Sequence, residues 1–230
     1  MAELLDAVYP VTAKVIPVLG FATLSKFDMA QRLIDSIDYP VEHLVIIDNS
    51  GKREFEPLVN PFLVKNTWTI QVPHGLGANG AWNLIIKSTP FATYWVLPND
   101  DAWFEPGALK TIAEQVRTDA FNFVNVRPAW SCVVPSEGSV RKAGVWDEAF
   151  HPIYFDDDDY EWRMRELGVP FHSIDAKVHH DNSSTLKSGY QDRNEKTFRR
   201  NQSLAANKRV ANDLTERGWS LDIRRENAWD

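Results

Sequence analysis

Three groups of side chains in this chain of 230 residues could do chemistry. The first is Asp156 to Asp159, consecutive aspartates that follow a turn and open a helical pattern. Crowded carboxylates repel one another, so a fold keeps them for a metal ion, for a base, or for exposure to water. The second is Asn99-Asp100-Asp101, a turn after a short apolar run. A carboxylate pair on a turn can hold Mg2+ or Mn2+, which take oxygen ligands and keep waters and phosphate oxygens in their shell. The bland alternative is an Asx turn or helix cap, but Asp101 lies five residues before Pro106, too far for a simple cap. The third is His179-His180, closing the run Ala176-Lys-Val-His-His. Neutral imidazole is a metal ligand beside carboxylates, and otherwise an ordinary core or surface group.

These groups need elements to position them. Lys14-Val-Ile-Pro-Val-Leu19 reads as a buried strand ending near Gly20, and Ala30, Leu33, Ile34 and Ile37 share one face of a helix. Leu44-Val-Ile-Ile-Asp48 is a second strand, broken by Asn49-Ser50-Gly51, and Trp68-Thr-Ile-Gln-Val72 a third. His74 to Gly80 is a glycine-rich loop leading into a helix, and Tyr94-Trp-Val-Leu97 is a fourth strand. Pro106-Gly107 start another helix, strands are expected near 121–126 and 130–134, and Tyr160, Met164 and Leu167 share a helix face. This alternation is that of βαβ units, hence a mainly parallel sheet with helices on both faces. Such sheets bind ligands at the carboxyl ends of their strands. Asp48, the Gly75–Gly80 loop and Asn99–Asp101 should therefore converge on one crevice. The loop is neither a dinucleotide fingerprint nor a P-loop, because its spacing and position differ and no Gly-Lys-Ser/Thr follows.

Composition narrows the class. Hydrophobic residues are 43% and charged residues 25%, an ordinary globular balance. Net charge is −7, against a general nucleic-acid binder, yet residues 187–225 carry 10 basic and 5 acidic side chains. That segment suits a phosphate-bearing acceptor or an acidic membrane surface, or is a solvated helix face. Cys132 is the single cysteine, the first residues lack the pattern of a signal peptide, and no apolar run spans a bilayer. The expectation is a cytoplasmic protein, with room for peripheral membrane contact.

Four blocks, in order over residues 13–185, resemble the family 2 glycosyltransferases and relatives with the GT-A fold. They are Leu44-Val-Ile-Ile-Asp-Asn-Ser-Gly51, Gly75-Leu-Gly-Ala-Asn-Gly-Ala-Trp-Asn83, Leu97-Pro-Asn-Asp-Asp-Ala-Trp-Phe-Glu-Pro-Gly-Ala-Leu109, and Gly144-Val-Trp-Asp-Glu-Ala-Phe150 through Phe155-Asp-Asp-Asp-Asp-Tyr-Glu-Trp-Arg163. The resemblance implies an α/β GT-A domain over 1–186. Its Rossmann-like nucleotide-sugar half would cover 13–110, its acceptor and catalytic half 111–186, with a helical basic extension over 187–230.

It also implies roles. Asp48 binds the base, and Gly77, Asn79 and Asn83 lie beside the donor. Pro17 and Leu19 fall where the family has Pro-Thr-Tyr/Phe-Asn, although Pro17-Val-Leu-Gly20 departs from it. Trp82 occupies a position often held by a basic residue. Asp101 is the metal ligand of a DxD motif in which Asn99 replaces the first aspartate, and Asp100 contacts the sugar or ribose. His180 matches the late metal ligand better than His179, because Ser184 follows at the usual distance. Asp157 is the general base with Asp156 before it. Asp159 sits behind on the acceptor side and pairs with Arg163, while Asp158 faces solvent. Trp130 and Trp146 are candidates for an acceptor platform, with core packing as the alternative.

The reaction implied is inverting transfer from a nucleoside-diphosphate sugar, UDP as the expected carrier, using Mn2+ or Mg2+. The acceptor hydroxyl belongs to a glycan, lipid, protein or modified nucleic acid. A sugar-nucleotide pyrophosphorylase would need a Gly-rich basic loop after the first strand, which Gly20–Lys26 fits poorly. A calcium-binding module would need ligands at alternating positions and a central glycine, which the contiguous aspartates lack.

Overall fold

A computed structural model of the chain describes residues 14–52, 54–125, 129–181 and 191–218. Ser184, the 186/187 boundary and the end of the strand expected to reach 126 lie outside the described residues. The strands are β1 (Ile16–Thr23), β2 (Val41–Asp48), β3 (Val64–Gln71), β4 (Trp95–Pro98), β5 (Ala102–Phe104), β6 (Phe121–Asn125), β7 (Cys132–Val134) and β8 (Phe171–His180). The helices are α1 (Phe27–Asp35), α2 (Gly77–Ser88), α3 (Ala108–Gln115), α4 (Glu137–Ala143), α5 (Asp156–Glu166) and α6 (Gln191–Ala211). No helix among the described residues is long and apolar enough to cross a membrane.

All eight strands join one sheet in the order β3-β2-β1-β4-β7-β6-β8-β5. β1 pairs parallel with β2 and β4, β2 with β3, and β6 with β8. β7 runs antiparallel to β4 and β6, and β5 antiparallel to β8. Connection length explains the mixture. A parallel neighbour needs a crossover of a dozen residues or more. Only residues 99–101 separate β4 from β5, and 126–131 separate β6 from β7. Neither pair can be parallel neighbours, so β5 crosses to the far edge.

The apolar runs of β1, β2 and β4 are buried on both faces, as central parallel strands are. One face of the sheet packs on Leu33, Ile34, Leu109 and Ile112 of α1 and α3. The other packs on Ile85 and Ile86 of α2 and on Tyr160 and Met164 of α5. α5 starts with four aspartates and ends with Arg163 and Arg165. Acidic residues near a helix N-terminus and basic ones near its C-terminus both complement the macrodipole, which offsets part of the carboxylate repulsion.

Candidate active site

The register sets Thr23, the last residue of β1, beside Asp48, the last of β2. Both are buried. The Asp48 carboxylate accepts the Ser50 N–H at 2.9 Å through Oδ1, whereas its buried Oδ2 has no hydrogen-bond partner among the described residues. A buried acceptor without a donor is costly, so this oxygen suits a ligand N–H or O–H. The neighbouring Asn49 ties the glycine loop to β2. It accepts the Leu76 N–H at 3.1 Å and donates to the Gly77 carbonyl at 3.2 Å.

β1 continues past Gly20 through Phe21-Ala22-Thr23. Pro17 and Leu19 therefore sit near the entry end of β1, and Leu19 is fully buried in the core. The Leu19 side chain therefore offers no surface for the nucleotide contact expected of it. Thr23 holds the strand-end place, and the unbroken apolar run beyond Gly20 was its signal.

Across the crevice, pairing of β5 with β8 sets Ala102 opposite His180. Asp101 Oδ1 lies 2.8 Å from His180 Nε2, and both side chains are buried. Asn99 Nδ2 is 3.5 Å from the same nitrogen. The Asp181 N–H donates to the Asp101 carbonyl at 3.1 Å. Arg32 from α1 donates to that carbonyl at 3.4 Å and to the Asp181 carboxylate at 2.7 Å. His179 points elsewhere, stacked on Trp103 and 2.7 Å from Glu105. Asp100 is partly exposed as a residue, but burial of its carboxyl pushes it up to about 7, against the lowering effect of the Thr23 hydroxyl; Asp101 raises it further. Among the described residues no group of three or more acidic, histidine or cysteine side chains forms a metal cage. An adjacent carboxylate and imidazole are nevertheless donors that fit Mn2+ or Mg2+, leaving the other positions to phosphate oxygens and water.

The glycine loop joins β2 to the segment that precedes α5. Gly77 has φ +74°, and a Cβ there would collide with the Pro152 backbone. The Ala78 N–H donates to the Pro152 carbonyl at 3.2 Å, and His151 Nε2 is 3.2 Å from the Gly75 carbonyl. Asn79 and Asn83 are committed to the protein, which corrects their assignment to the donor. Asn79 donates to the Asp147 carbonyl at 3.1 Å. Asn83 donates to the Trp146 carbonyl and to Glu148, both at 2.8 Å, and accepts the Trp146 N–H at 3.0 Å. Both are fully buried.

α5 is entered through Tyr154 and Phe155, at φ 77° and 65°. Left-handed backbone costs a non-glycine residue about 1–2 kcal/mol. Asp156 is buried, and that burial lifts its carboxyl to about 7, with the Asp157 charge adding to the rise. Burial also raises Asp157, opposed by the Asp158 N–H that it accepts at 2.9 Å. Asp158 is exposed. Asp159 is buried, 2.8 Å from Arg163 Nε and 3.0 Å from Lys208 Nζ. Its carboxylate is structural, which corrects the acceptor contact expected of it. Trp146 is likewise core: fully buried, with Tyr160 at 4.3 Å and Trp82 at 5.2 Å between ring centres. Trp130 is half-buried against Phe121 and Phe123. The adjacent Ser131 carbonyl accepts the Asn99 N–H at 2.8 Å, so Trp130 stands next to the residue that supports the Asn99–Asp101 turn.

No family model matches the chain, and no curated protein matches its sequence. Its backbone does match solved structures. GalNAc-T7 with UDP, GalNAc and Mn2+ superposes with TM-score 0.57 at 6% identity, over 75% of this chain and 44% of that one. TarS of S. aureus superposes with TM-score 0.59 at 11% identity, over 88% of this chain and 41% of that one. The inositol-1-phosphate CTP transferase of T. maritima gives a TM-score of 0.47, too low to bear on the argument. The chain thus spans less than half the length of either glycosyltransferase. The fold is that of the GT-A glycosyltransferases.

Proposed function

We propose that the chain is an inverting glycosyltransferase that moves a sugar from a nucleoside diphosphate, UDP as the expected carrier, to a hydroxyl acceptor. Residues 13–110 form the donor half and 111–186 the acceptor half. The observation that carries this reading is the convergence, at one end of the sheet, of the Asp101–His180 pair with the unpartnered Asp48 oxygen. Support comes from the fold likeness to glycosyltransferases, one of them holding UDP and Mn2+.

Asp48 accepts a hydrogen bond from the nucleotide base through Oδ2. Asp101 and His180 hold Mn2+ or Mg2+. When bound, the ion neutralises charge that develops on the departing diphosphate. Asn99 supports His180, and Asp100 faces the sugar or ribose. Asp157 takes the proton of the acceptor hydroxyl as its oxygen attacks the anomeric carbon. Attack from the face opposite the leaving group inverts that carbon. The raised pKa of Asp157, with Asp156 next to it, makes it a stronger base than a surface carboxylate. Trp130 remains the aromatic candidate for the acceptor.

The test is release of nucleoside diphosphate from a panel of nucleotide sugars, with Mn2+ and after chelation. Metal-dependent turnover that Asp157→Asn abolishes while nucleotide affinity is retained supports the reading. Nucleotide affinity without turnover on any sugar donor, with any acceptor class, would overturn it.

A further inference from the structure

The transferase reading leaves α6 without a task, yet this helix grips the segment that delivers the acidic cluster. Asn201 is fully buried and shares its two amide hydrogens among the carbonyls of Phe150 at 2.7 Å, Ile153 at 2.9 Å and Tyr154 at 3.0 Å. Arg200 reaches the carbonyls of Ala149 and His151. Phe198 stands edge-on to Phe155 at 4.9 Å and to Tyr154 at 5.6 Å. Farther along, Lys208 is buried between Asp147 at 2.5 Å and Asp159 at 3.0 Å, and donates to the Thr215 carbonyl at 2.8 Å. Asn201, Ala205 and Lys208 are the buried stripe of the helix, spaced i, i+4, i+7.

The grip falls where the backbone most needs it. Tyr154 and Phe155 are left-handed residues immediately before Asp156. Such conformations persist only when their surroundings over-determine them. Asn201 fixes carbonyls on both sides of Pro152 and at Tyr154 itself. Lys208 bridges buried carboxylates at both ends of this segment, Asp147 before it and Asp159 in the first turn of α5, where Asp159 also pairs with Arg163. We infer that Asn201 and Lys208 are positioning residues that set the place of Asp156 and Asp157. They act through the 150–155 segment and through Asp159. The kinetic side of this inference rests on the transferase reading; the structural side does not.

The test uses the full chain carrying Asn201→Leu, Lys208→Met or Lys208→Arg. Three quantities are read: kcat and donor KM, UDP affinity, and amide hydrogen exchange of residues 150–159 against residues 41–48. Displacing a catalytic group by about 1 Å can cost on the order of 10²-fold in rate. The expected result for Asn201→Leu is a kcat about 10- to 100-fold lower, with donor KM and UDP affinity within about twofold of wild type. Exchange should quicken across 150–159 and stay unchanged across 41–48. Lys208→Met should behave alike, and Lys208→Arg should restore most of kcat. If Lys208→Met does not fold, Asn201→Leu decides alone. Unchanged kcat with intact folding overturns the inference. So does a parallel loss of kcat, UDP affinity and protection throughout the sheet, which marks a general stabilising role. If the wild-type chain turns over no nucleotide sugar, the transferase reading falls by itself. Exchange at 150–159 then decides the positioning role, and no change there overturns it.

Discussion

Asp101 and Asp157 stand for two halves of the molecule that hold their carboxylates by different means. Asp101 sits on the turn between β4 and β5, and its partner His180 ends β8. Ladder hydrogen bonds set their contact, and Arg32 reinforces it. Asp157 lies in the first turn of a helix entered through two left-handed residues, and its surroundings are fastened by Asn201 and Lys208 of α6, more than forty residues downstream. The Asp101 side is therefore fixed by sheet registration, the Asp157 side by buried ionic and amide contacts. Registration is cooperative and hard to shift by one substitution. A buried ionic contact fails when a single partner is removed.

The sharpest way to break this contrast is at the carboxylates. Asp157→Asn should lower kcat by about 10²–10⁴-fold, the usual share of a general base, with UDP affinity retained. Asp101→Asn should instead remove the metal dependence of UDP affinity, which titration calorimetry with and without Mn2+ reads directly.

The next effect is on stability. Arg163 is fully buried; it pairs with Asp159 and donates to the carbonyls of Ala143 and Val145, each at 2.7 Å. Arg163→Leu strands these acceptors and should cost about 3–5 kcal/mol in urea unfolding. Arg32→Leu, a half-exposed pair on the donor side, should cost about 1 kcal/mol or less.

The third concerns pH. The Asp156 carboxyl is raised to about 7 in the folded chain, from 3.8. The native state therefore binds more protons than the unfolded state between these values, so stability is greatest at the acid end and falls as pH rises toward 7. Asp156→Asn removes that fall. It should raise the melting temperature at pH 8 and leave it nearly unchanged at pH 4. Activity should carry the opposite sign: in the proposed mechanism Asp157 acts as the ionised base, and burial raises its pKa above that of a surface carboxylate, so kcat should rise with pH through its titration.

The smallest effects separate the two tryptophans. Trp130→Ala should raise acceptor KM a few-fold without touching UDP affinity. Trp146→Phe should leave acceptor KM alone and cost about 1–2 kcal/mol of stability, because it only loosens the core.

These contrasts follow what the amino-acid sequence could express. Apolar runs marked β1, β2 and β4, and turn residues marked Asp48 and Asn99–Asp101 at their ends. The start of β3 was hidden because Val64 is followed by polar Lys65, Asn66 and Thr67 on an edge strand, with no apolar run to mark it. β5 was hidden because a strand of three residues carries no period of its own. Asn79 and Asn83 fall inside a matching motif, but a motif does not say which way an amide turns. Here both turn to the 146–148 backbone. Thr23 is obscured because Gly20 reads as a strand end, although apolar Phe21 and Ala22 carry the run past it. In the basic segment, Lys196, Arg199 and Arg209 are exposed, as a solvated face requires. Lys208 is not, and the only hint was its i+7 place in a stripe with Asn201 and Ala205.

The separation of Lys208 from the carboxylates it neutralises also bears on the order of folding. As the chain is synthesised, β1 to β4 with Asp48 and the Asn99–Asp101 turn emerge first, and α5 follows with Asp147 and Asp159 still lacking that cation. Only when α6 docks do Asp147 and Asp159 gain the Lys208 cation and the left-handed segment its amide clasp. Closing such a distant contact is a late, slow event in folding. A nascent chain ending before Gln191 should therefore bind nucleotide before it can turn over a sugar.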